Sequence, residues 1–144
     1  ISLPSLNAQE RELRFNKDRR FKIVQFTDVH WIYGNEASNE AGERMAEVLD
    51  AEKPDLVVFT GDVVFAKPAR LALDKALEAT IERGIPFAIT WGNHDDEQDM
   101  TRAELSAYIK DMKGNPLLLF VNPWSIGMTL DRNKDLVLSE FGRE

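Results

Sequence analysis

The chain has no cysteine and only two histidines in 144 residues. Without cysteine there is no disulfide framework and no thiolate metal site, although the redox compartment is left undetermined. Positive charge is also short. Eighteen Lys and Arg against 25 Asp and Glu give a formal net charge of −7, which argues against a phosphate-backbone surface, so nucleic acid is not expected as a partner. No apolar run is long enough to span a membrane, the longest candidate being Leu117 to Val121, so a soluble chain without a membrane span is expected. There is no internal repeat and no low-complexity tract, and hence no sign of a solenoid or a linker.

What is present suits one globular unit. The hydrophobic fraction of 43% and the charged fraction of 30% are ordinary for such a protein, and the length supports one real core but does not promise two. Part of the acidic excess reads as the ligand set of a cation, since carboxylate oxygens are what hard divalent metals select. The chain opens at Ile1 rather than at a methionine. A removed signal peptide, and with it an extracytoplasmic location, is one explanation; the sequence does not choose between that and a cytoplasmic protein.

Residues 1–20 read as a lead-in segment, with an edge strand around Leu13 to Asn16. From Phe21 the pattern is regular. Phe21 to Thr27 and Asp55 to Thr60 are near-continuous runs of β-formers, as expected of strands covered on both faces, and Ile85 to Thr90 follows Gly84 as a third. Between them, Ser38 to Glu52 places Met45, Val48 and Leu49 at helical spacing, with Ser38 or Asn39 as N-cap, before Pro54 ends it. Ala69 to Arg83 is a second helix closed by Gly84, and Thr101 to Lys113 a third, opened by a Thr101/Glu104 capping box. The fold class is therefore α/β: a β-α-β-α-β parallel sheet with flanking helices, since antiparallel neighbours would need only short turns. Leu117 to Val121 and Leu136 to Leu138 are further short strands on this reading.

Each strand runs into a polar loop: Asp28-Val29-His30, then Gly61-Asp62, then Gly92-Asn93-His94-Asp95-Asp96. An open α/β sheet binds ligands beyond the carboxyl ends of its strands, so three oxygen- and nitrogen-rich loops should meet at one edge. Asp28 and His30, one residue apart, would share a side of an extended backbone and a single cation; a turn aspartate beside a surface histidine is the plainer account. Asp62 can offer two oxygens to two cations, or merely open a helix. In the third loop Gly92 lets backbone approach a ligand, Asn93 offers a carbonyl oxygen, His94 can donate a proton or contact an oxyanion, and Asp95 can orient the imidazole. Helix capping accounts for Asp95 or Asp96 better than for His94. Both histidines of the chain fall in these loops. Trp31, Tyr33 and Trp91 flank them, more as packing than as a wall against a leaving group.

In order, spacing and strand context, Phe26-Thr27-Asp28-Val29-His30, Thr60-Gly61-Asp62 and Trp91-Gly92-Asn93-His94-Asp95 resemble the first three motifs of the calcineurin-like metallophosphoesterase superfamily, which includes the purple acid phosphatases and many bacterial phosphatases. The resemblance implies a fold that is the N-terminal half of a larger two-sheet sandwich, so that 21–144 would be a partial domain. It implies two divalent or trivalent metal ions (Mn, Fe or Zn), one held by Asp28 and His30, the other by Asn93, with Asp62 bridging. His94 and Asp95 would be the catalytic pair, His94 contacting the phosphate or protonating the leaving group and Asp95 steering it, while a metal-bridging hydroxide attacks phosphorus in line. The family completes its site with a later histidine and a Gly-His-x-His motif, and no histidine follows His94 here. The full-length protein is thus expected to hydrolyse a small-molecule or protein phosphoester, and this chain to bind metal weakly and turn over little. The rival expectation is a non-catalytic, truncated α/β binding module that meets a partner through Leu117 to Trp124.

Overall fold

The computed structural model describes residues 13–112 and the strand at 118–122. The run richest in β-branched and aromatic residues lies inside the sheet as β2 (Leu56–Thr60), flanked by β1 (Ile23–Phe26) and β3 (Phe87–Thr90), with β4 (Leu118–Asn122) beyond β3. All three pairings are parallel, and the strands lie in chain order. Crossovers are made by α1 (Glu36–Glu52), α2 (Ala69–Glu82) and α3 (Arg102–Asp111). Right-handed crossovers that all step in one direction put their helices on one side of the sheet, and α1 packs against α2 accordingly.

Register then decides the core. Phe26 stands beside Phe59, and Phe59 beside Ile89, on the face where Val57 pairs with Phe87. The rings of Phe26, Phe59 and Phe87 form a row, with centroid separations of 5.8 and 6.3 Å. Val57, Phe59, Phe87 and Ile89 are buried, each worth roughly 1.5–3 kcal/mol in transfer terms. The alternate face is more open: Ile23 is 55% exposed, and Gln25 reaches across to the Thr60 hydroxyl at 2.8 Å.

Several boundaries differ from the sequence reading, for local reasons. Helix α1 starts at Glu36, ahead of Ser38, because Asn35 is the cap and accepts from the N–H groups of Ala37 and Ser38. Ser38 is instead buried and accepts from the Ile32 N–H. Strand β3 starts at Phe87, since Ile85 donates to Thr80 in the turn that ends α2 and Pro86 has no N–H to offer. Residues 13–16 form no strand: the Asn16 side chain accepts from the N–H groups of Asp18 and Arg20, turning the chain. The capping box of α3 is present as expected, and Gly84, at φ +63°, follows the end of α2. The strand expected at Leu117 to Val121 is β4, one residue on. Leu136 to Leu138, and the side chains of Leu117 to Trp124, lie outside the described residues. No helix among the described residues is long and apolar enough to cross a membrane.

Candidate metal centre

The pairing of β1 with β2 continues past the strand ends. Asp28 N–H donates to Gly61, His30 to Asp62 at 2.8 Å, and Trp31 to Val63 at 2.9 Å, and Phe65 donates back to Trp31. This lacing holds His30 and Asp62 abreast. It also bends the backbone: Asp28, His30 and Asp62 have φ of +53°, +47° and +50°, and Gly61 +101°. Left-handed conformations at non-glycine residues cost of order 1–3 kcal/mol each and gather where function requires them. The extended placement expected for Asp28 and His30 is therefore not found. His30 Nδ1 faces the Asp28 main-chain carbonyl at 3.1 Å, while the Asp28 carboxylate accepts from the Thr27 hydroxyl.

The third loop is fastened from below by Asp95. That residue is fully buried; one carboxylate oxygen accepts from the N–H groups of Val63 and Val64 at 2.7 and 2.9 Å, the other from Gly92 at 2.6 Å. Burial pushes the Asp95 carboxyl above its ordinary range, against the pull of those three donors. Asp62 fastens the loop from above, with Oδ1 accepting from the His94 N–H at 2.9 Å. The two oxygens expected to serve two cations are thus divided, since one is engaged by backbone. Gly92 is required here for Asp62, because a Cβ at Gly92 would collide with the Asp62 carboxylate and N–H. Other acids of the loop are spent on structure. Asp96 pairs with the buried guanidinium of Arg102, and Asp99 accepts from Ala69 N–H at 2.8 Å, capping α2. Trp91 is buried and donates to the Ser106 hydroxyl, and Trp31 is buried too, so both are packing as expected; Tyr33 is exposed.

His30, Asp62 and His94 each offer a ligand atom, all within 4.8 Å of one another. His30 Nε2 lies 3.8 Å from Asp62 Oδ2, whose side chain is only 13% exposed. With Nδ1 of His30 engaged by a carbonyl and Nδ1 of His94 lying 2.8 Å from Glu97 Oε2, each imidazole has its outer nitrogen held by an acceptor, the arrangement found in metal-ligating histidines. The His30 imidazole and the Asp62 carboxylate suit a borderline divalent ion, so the donor set fits a metal, and the His94 ring lies beside them with its inner nitrogen toward the same centre. The Asp28 carboxylate stands outside that set, and Asn93, the neighbour of His94 in the chain, is exposed. The hydrogen bond to Glu97, reinforced by its charge and those of Asp62 and Asp95, raises the His94 pKa.

Two neighbours of the cluster escaped the sequence reading. Glu97, and not Asp95, stands beside the His94 ring, because a turn closed by Glu97 N–H on the His94 carbonyl folds residue i+3 back over residue i. The spacing could have signalled it. Phe65 sets its edge against both imidazoles, at centroid separations of 5.9 and 5.7 Å, and is 39% exposed.

Comparison with known proteins bears on this arrangement. A protein of Arabidopsis thaliana named "Probable inactive purple acid phosphatase 14" is 36% identical over 131 residues, covering 78% of this chain and 32% of the relative. "Phosphatase DCR2" of Saccharomyces cerevisiae is 39% identical over 113 residues, covering 67% of this chain and 20% of its own. The chain thus spans a third or less of these relatives. Among solved structures, the nuclease MPE of Pseudomonas putida overlaps 72% of this chain and 50% of its own, with a TM-score of 0.45 and 19% identity. The profile of the Calcineurin-like phosphoesterase family matches residues 21–140, and with it the chain belongs to that family.

Proposed function

We propose that the full-length protein hydrolyses phosphate esters with two metal ions, and that this chain carries the first half of the site. The observation that carries the reading is the convergence of His30, Asp62 and His94 at the carboxyl edge. Asp28 and His30 would hold one ion, Asn93 the other, and Asp62 both. Bound ions supply Lewis-acid polarisation of the phosphoryl oxygens and a water-derived nucleophile at neutral pH. His94 gives its Nε2 proton to the leaving-group oxygen. Asp95, whose oxygens are taken up by three N–H groups, holds the loop that presents His94 and Asn93. The substrate is a small-molecule or protein phosphoester. Manganese-dependent hydrolysis of p-nitrophenyl phosphate by the full-length protein tests this reading: Asp62→Asn should abolish turnover, and equal rates in parent and variant would refute the bridging role.

A second reading, a non-catalytic module, is favoured by the word "inactive" in the name of the Arabidopsis relative. Titration calorimetry with Mn²⁺ or Zn²⁺ separates the two, because a binding module that uses no metal gives no heat.

A further inference from the structure

We infer that Glu97 is the positioning residue of His94, holding the imidazole by Nδ1 so that Nε2 is the nitrogen presented to the site. Of the four acids between residues 95 and 99, three are committed elsewhere: Asp95 to three backbone N–H groups, Asp96 to Arg102, and Asp99 to the first N–H of α2. Glu97 alone of the four faces the ring, at 2.8 Å.

The contact is built on fixed backbone. The His94 N–H is held by Asp62 at 2.9 Å, and the Glu97 N–H by the His94 carbonyl at 3.2 Å, so both residues are tied down before their side chains meet. The ring of Phe65 lies 5.7 Å from the imidazole and at 84° to it, covering one side of His94. A carboxylate can only accept, so it selects the form of His94 with hydrogen on Nδ1. A neutral imidazole free in water mostly carries its hydrogen on Nε2. Glu97 therefore reverses the preference of the free ring and frees the Nε2 lone pair in the neutral state, or directs the Nε2–H in the charged one. Its consequence for turnover rests on the phosphoester reading above; the geometry does not.

The test is the imidazole ¹⁵N spectrum of His94 in the full chain at about pH 9, well above the ordinary histidine range, with His94→Gln used for assignment. The parent should show a protonated-type Nδ1 and a lone-pair-type Nε2. Glu97→Gln, whose amide oxygen still accepts, should retain that pattern, whereas Glu97→Ala should revert to that of a free ring. Because Glu97 is exposed, the variants should keep the parent's amide dispersion. An unchanged His94 spectrum in Glu97→Ala overturns the inference. In the full-length protein, Glu97→Ala should lower kcat for p-nitrophenyl phosphate on the order of tenfold to a hundredfold at constant KM, as loss of an orienting partner does, with Glu97→Gln recovering most of it. A kcat that survives Glu97→Ala despite the altered spectrum overturns the catalytic consequence. Absence of hydrolysis in the parent itself would refute the phosphoester reading, and the ¹⁵N spectra would still decide the positioning.

Discussion

At the carboxyl edge of the sheet Asp95 is buried and answers three backbone N–H groups; at the amino edge Asp50 and Glu52 lie exposed opposite Arg83 and Lys22. Both edges are rich in acids, but at the carboxyl edge a buried one answers backbone while at the amino edge these two, themselves exposed, pair with cations. A buried carboxylate that satisfies donors with no other partner is expensive to remove, because the donors stay buried after it is gone. An exposed pair leaves two groups that water takes over at once. The overall acidity of the chain is thus a poor guide to where its charges matter.

The largest effect should come from Asp95→Ala, which leaves the N–H groups of Val63, Val64 and Gly92 without their acceptor. A loss of about 3 kcal/mol or more is expected from urea denaturation, and a shift no larger than that of an exposed pair would break the contrast between the edges. Gly92→Ala comes next: displacement of the Asp62 carboxylate should cost roughly 1–3 kcal/mol by overpacking and should also diminish the heat of Mn²⁺ binding. Retention of the parent's heat would mean that Asp62 has room to move and still bind. Between the edges, the Thr80 hydroxyl on α2 is buried without a partner. Thr80→Val should therefore raise stability by about 1 kcal/mol, read as a higher denaturation midpoint.

Smaller still is the pH-dependent contribution of the α3 cap. Hydrogen bonds from the Thr101 N–H and hydroxyl lower the Glu104 pKa below the ordinary glutamate range. A folded-state pKa below the unfolded one means that stability is fully present above the unfolded value and is lost as pH falls through the folded one. The difference in midpoint between parent and Glu104→Gln should accordingly be present at neutral pH and vanish in acid below the ordinary glutamate range. At the bottom of the scale, Asp50→Ala should move the midpoint within the scatter of repeat measurements, and any residual shift should shrink with added salt. A large shift there would show that the amino edge is not the loose partner it is taken to be.

Much of this molecule was fixed by patterns that act over a few residues. Runs such as Leu56–Thr60 and Phe87–Thr90 could hardly be anything but buried strands, the Thr101/Glu104 box and Gly84 punctuate helices through contacts within one turn, and strand–loop alternation placed three polar loops at one edge. The partners of the acids in those loops were legible only in part. That Asp95 would serve backbone on a neighbouring loop, that Asp99 would cap a helix 30 residues earlier, and that Gly92 would be small for the sake of Asp62 depend on how closely β2 and β3 bring their loops together. Chain spacing suggested that Asp95 would steer His94, and a turn of four residues gave that place to Glu97. Hydrogen-bond partners are chosen by distance in space, and beyond the nearest turn that distance is set by the register of the sheet rather than by separation along the chain.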